Sequence, residues 1–192
     1  RHYHAPAMAN PLLVRTAPDV LARQRQVIEK TDKLSSFPRL AAIVDESLAG
    51  LSASQRPAAT GARAIEVRLE FGWADAQERI PRVRGRLATK LPATCQRWLE
   101  AVEIALDVDV DLLLVAGRDA QSVDDALEIW ELEEERLRPL DLVEELLVMA
   151  MPLAAAHADA RDCGQLAGWS GESAQDTVRP FADLKSKLER SK

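Results

Sequence analysis

The chain has 192 residues, 47% of them hydrophobic and 29% charged, enough for one globular core and too few for two large domains. A formal net charge of −6 argues against a protein that coats nucleic acid by charge alone. Two cysteines, Cys95 and Cys163, are too few for a secreted disulfide framework, no apolar run is long enough to span a membrane, and the leading residues lack the apolar core of a signal peptide, so a cytoplasmic protein is expected.

Residues 1–10 read as a disordered or tag-like N-terminus, with Met8 a candidate natural start. Val20, Leu21, Val27 and Ile28 recur at helical spacing among good helix formers and predict a helix over 19–33, stopped by Phe37-Pro38. Leu40 to Leu51 fits either strand or helix, and the Ser, Pro and Gly content of 52–61 marks a loop. Ile65, Val67, Leu69, Phe71 and Trp73 alternate with Glu66, Arg68, Glu70 and Gly72, the period of a strand buried on one face. After a turn at 74–78, Val83, Leu87 and Leu91 alternate with Arg82, Arg84, Arg86 and Lys90 on a second strand that pairs back as a hairpin. Pro92 is expected to mark its end or a bulge, because proline cannot donate to an inner ladder.

A third alternation sets Val102, Ile104, Leu106, Val108 and Val110 against Glu103, Asp107, Asp109 and Asp111, giving an antiparallel meander. Residues 117–125 read as a polar loop, and Leu127, Ile129 and Trp130 as one more short strand. The clearest helix runs over 139–151, with Asp141 as a candidate N-cap, Glu144 completing a capping box, and Pro152 closing it. Residues 156–179 are small and polar, and Phe181, Leu184 and Leu188 suggest a short basic helix. The expected class is therefore α+β: an antiparallel β-meander, as a sheet or partly closed barrel, packed with a few helices. Residues 11–155 form its single domain, and 156–192 a mobile connection and terminal helix.

Charge is unevenly spread. Residues 56–98 hold nine basic and four acidic residues, whereas 99–145 hold sixteen acidic and three basic, which suggests two electrostatically different faces. Alternate spacing puts Arg82, Arg84 and Arg86 on one strand face roughly 6–7 Å apart, near the phosphate spacing of a nucleic-acid strand. Lys90 continues the row and Arg97 lies nearby, so these five are the candidate RNA contacts. The competing reading pairs the arginines across strands with Glu66, Glu70 or Asp107 on a solvated sheet face.

Phosphate-loop, metal-helix and nucleophile-elbow motifs are absent, and no enzyme or cofactor is expected. Cys95, His157 and Cys163 are the only set with soft metal donors, one ligand short of a zinc site, with Trp98 where a Cys-x-x-Cys pair would place its second sulfur.

Four features in order carry a resemblance: Cys95-Gln96-Arg97-Trp98; Leu140-Asp141-Leu142-Val143-Glu144-Glu145-Leu146-Leu147; Ala150-Met151-Pro152 with His157 and Cys163; and Pro180-Phe181-Ala182-Asp183-Leu184-Lys185. Together they resemble the large ribosomal RNA subunit accumulation (YceD-like) family, in which a strand ends in a Cys-x-Arg-Cys type motif, over roughly residues 19–187. The family motif residues here are Cys95, Arg97, His157 and Cys163, and Trp98 departs from the pattern. The resemblance implies a non-enzymatic part in the synthesis, processing or accumulation of large-subunit ribosomal RNA. The partner it implies is that RNA or a large-subunit ribosomal protein. An acidic holding chaperone for a basic ribosomal protein is the alternative, with a Cys/His metal-binding protein behind it.

Overall fold

A computed structural model describes residues 10–116, 128–132 and 134–158. The elements are α1 (Pro18–Arg23), β1 (Val27–Lys33), α2 (Pro38–Ser47), β2 (Ala64–Trp73), β3 (Pro81–Thr94), β4 (Ala101–Ala116), β5 (Glu128–Leu132) and α3 (Pro139–Ala150). The five strands form one sheet in chain order, β1 to β5, and the two edges do not meet, so it is an open sheet and not a barrel. The first three pairings are antiparallel, as a meander requires. The fourth corrects it: β5 runs parallel to β4, with Leu112 beside Glu128 and Ala116 beside Leu132, which makes the sheet mixed. A short strand pattern carries no direction, so the sequence could place β5 but not orient it.

One sheet face builds the core. Ile65, Leu69, Leu87 and Leu91 are buried there, in one cluster with Phe37, Leu40 and Val44 from around α2 and with Leu140, Val143 and Leu147 from α3. Gly85 sits on this face where the chains come closest. A Cβ there would lie 1.9 Å from the Arg68 carbonyl oxygen, so only glycine fits.

The predicted helix over 19–33 divides. α1 ends at Arg23, Arg25 takes the left-handed region at φ 47°, and Val27–Lys33 becomes β1. Pairing of the whole of β1 with β2, from Ala64 to Glu70, helped by β-branched Val27, Ile28 and Thr31, outweighs helical spacing. The 40–51 ambiguity resolves to helix, with Leu40 and Val44 buried one turn apart.

β3 continues through Pro92 to Thr94. Cys95 donates its N–H to Glu100 O at 2.8 Å on the β4 side, so alternation turns the Pro92 nitrogen to the other side. There the β2 ladder has already ended at Thr89, so the proline interrupts no bond.

The capping box is also corrected. The α3 N-cap is Arg138, with no side-chain cap bond, and Asp141 instead receives the Arg138 guanidinium. Glu144 is 97% buried, being 3% exposed, and its Oε1 accepts the N–H of Arg39 at 2.7 Å and of Leu40 at 3.2 Å. It therefore caps α2, whose first turn has orphan N–H groups and lacks a side-chain cap of its own. The expectations for 1–9, 117–127 and 159–192, including Cys163 and the terminal basic helix, fall outside the described residues.

Candidate functional site: a charged sheet face and a cysteine–histidine clasp

The sheet face opposite the core is solvated. The registers lay its residues in rows across β1, β2, β3 and β4: Val27, Glu70, Arg84, Asp111; then Glu29, Arg68, Arg86, Asp109; then Thr31, Glu66, Ala88, Asp107. The next row, Lys33, Ala64, Lys90 and Ala105, follows on the same face, and with Arg82 at the far end the four rows carry six cations and six anions. A depression of about 510 Å3 lies over β1 to β3, lined by Glu29, Thr31, Glu66, Arg68, Arg86 and Ala88 among others.

The arginine row is tied down along diagonals of the β3–β4 ladder. Arg82 donates Nε and Nη2 to the two Asp111 oxygens at 2.6 and 2.5 Å. Arg86 does the same to Asp107, through Nε at 2.6 Å and through Nη2. Arg84 reaches Asp111 at 3.6 Å. Those guanidinium hydrogen bonds hold the Asp107 and Asp111 carboxyls below the usual carboxylate range and push Arg82 and Arg86 up. The β3 arginines and the β4 aspartates thus lie side by side on one face, not on two. Lys90 and Arg97 are exposed and have no ion-pair partner among the described residues.

A second site lies where β3 turns into β4. The Cys95 side chain is fully buried. Leu99 takes φ 55° and donates its N–H to Cys95 O at 2.8 Å, closing the turn, while Gln96 N–H reaches Ala155 O at 2.8 Å and ties in the segment after α3. Burial alone raises the thiol pKa. The backbone N–H groups of His157, Arg97 and Trp98, with the His157 imidazole, outweigh it and bring Cys95 down to about 6. Two segments some sixty residues apart in the chain therefore meet on one sulfur that is ionised at neutral pH.

Of the three metal candidates, Cys95 and His157 come together and Cys163 lies outside the described residues. No group of three or more metal-binding side chains occurs among the described residues. The Trp98 indole N–H is buried without a hydrogen-bond partner among the described residues. Sequence reasoning missed Asp111 as the anchor of Arg82 and Arg84. The hairpin register, which a turn of uncertain length leaves open, was the signal needed.

The fold and the site together define a small mixed α+β domain with a charge-laced sheet face and a Cys–His clasp at one strand end. A model of the family described as large ribosomal RNA subunit accumulation protein YceD matches residues 83–186, more than half of the chain, and the chain belongs to that family. The match takes in β3 from Val83 on, β4, the Cys95 turn and α3, while Arg82, β1 and β2 precede it. No curated protein and no solved structure matches the chain. Among the described residues no helix is long and apolar enough to cross a membrane.

Proposed function

We propose that the chain serves large-subunit ribosomal RNA accumulation as a non-enzymatic cytoplasmic factor that works by binding, and that its direct partner is a basic large-subunit ribosomal protein. One observation carries the choice of a protein over RNA phosphate. The arginines that would meet phosphates are occupied by Asp107 and Asp111, on a face whose cations and anions balance in a chain of net charge −6. A net-negative chain whose arginines are already paired attracts lysine- and arginine-rich protein and repels RNA.

The test is capture of the tagged chain from cells with and without nuclease, followed by identification of bound RNA and protein. A basic large-subunit protein that stays bound after RNA is destroyed supports the reading. Retention that vanishes with the RNA sinks it.

RNA contact is the second reading, favoured by Lys90 and Arg97, exposed and without an ion-pair partner among the described residues. Replacing Arg82, Arg84 and Arg86 with glutamate separates it: salt-dependent RNA retention that falls in this variant restores the arginine row as a phosphate site.

A further inference from the structure

β1 is an edge of the sheet. Leu34 donates its N–H to Arg63 O toward β2, so alternation turns the backbone groups of Ile28, Lys30 and Asp32 to β2 and those of Glu29, Thr31 and Lys33 outward. Among the described residues the outward N–H and C=O groups of Glu29 and Thr31 have no backbone partner. The outward N–H of Lys33 rests on Asp32 Oδ1 at 2.8 Å. Such an edge is a template for another strand, and proteins commonly blunt it with charge.

Here the order of the charges has the opposite effect. Glu29-Lys30-Thr31-Asp32-Lys33 reverses sign about its central threonine. We propose that the chain pairs with a second copy of itself through β1, antiparallel about a two-fold axis at Thr31, so that two five-stranded sheets become one. In this register Glu29 stands opposite Lys33 of the second copy on the solvated face. Lys30 stands opposite Asp32 of the second copy on the other face, and Thr31 meets Thr31, itself a favourable cross-strand pair.

The register is selected as well as permitted. Paired residues in an antiparallel ladder must share a face, so a symmetric pairing centres on one residue. Centring on Glu29, Lys30, Asp32 or Lys33 sets that charge against its own copy. Centring on Val27 or Ile28 leaves part of the charged run 29–33 without a β1 partner; within that run Thr31 alone avoids self-opposition, and it sets all four charges opposite complementary ones. Glu29 and Lys33 are exposed, so neither must be uncovered for pairing.

Sedimentation of the full chain over a concentration series tests the proposal. Wild type is expected to show a weak, salt-sensitive monomer–dimer equilibrium in the range of roughly 10–100 µM, as befits one strand of contact. Glu29→Lys creates two like-charge pairs and weakens the dimer about ten-fold, and Lys33→Glu does the same. The double variant Glu29→Lys/Lys33→Glu regains wild-type association. An equimolar mixture of the two single variants forms a heterodimer tighter than either homodimer. A wild type that stays monomeric at 200 µM (on the order of the upper limit of such measurements), a dimer indifferent to the single reversals, or a double variant and mixture that fail to regain association would each overturn it.

Discussion

The Cys95 sulfur collects N–H donors from its own turn and from His157, and that set decides its charge. Its folded pKa, about 6, lies below the ordinary thiol value, so the folded state binds fewer protons than the unfolded chain between those two limits. The stability it contributes is complete above the ordinary thiol pKa and is lost as pH falls through about 6. Titrating the thiolate absorbance, with Cys95→Ser as blank, should give a midpoint near 6. The stability difference between wild type and Cys95→Ser should grow as pH rises from 6 toward 9. A midpoint in the ordinary thiol range would mean the donors do not act together. At Gly85 the constraint is steric, because the atom in the way is a backbone oxygen that cannot rotate aside. Gly85→Ala should cost about 3 kcal/mol in urea unfolding, the upper range for overpacking, and a cost under about 1 kcal/mol would show that β2 can yield.

Among the elements, Glu144 shows how a residue of one helix completes another. Glu144→Ala should cost about 2 kcal/mol, since two first-turn N–H groups of α2 lose a buried acceptor, and Glu144→Gln should cost less because its amide oxygen still accepts. Amide exchange at Arg39 and Leu40 should speed up in the alanine variant; unchanged protection there would refute the cap. The same residue marks a limit of sequence reading. Asp141 followed by Glu144 satisfies the local pattern of a capping box, yet the acceptor serves a helix some hundred positions earlier, which no local pattern encodes. Strands β2, β3 and β4 were legible because each buries one face and so alternates. β1 was not, because its polar inner positions Lys30 and Asp32 erase the alternation, and Asp32 is satisfied by Ser36 and Asn10. The arginine row was legible as a row, but its neutralisation depended on a register that only the folded hairpin supplies.

For the whole molecule, the balance of charge on the solvated face controls what it attracts, and one set of substitutions tests both readings with opposite signs. Asp107→Asn, Asp109→Asn and Asp111→Asn together keep size and hydrogen-bonding shape while removing three negative charges. The face then has six cations and three anions, and the three β3 arginines lose their ionic partners. Little stability should change, because exposed pairs of this kind contribute about 0–1 kcal/mol each. Affinity should change much more. If the aspartate stripe is what keeps phosphate away, the triple variant gains RNA retention, with a logarithmic salt slope steeper by about 0.7 for each arginine released to a single strand. The same variant loses hold of a basic large-subunit protein, because the anions that attract it are gone. A wild type that already retains RNA with a steep salt slope, or a variant that keeps its protein partner and gains no RNA, would show that partner choice lies elsewhere than on this face.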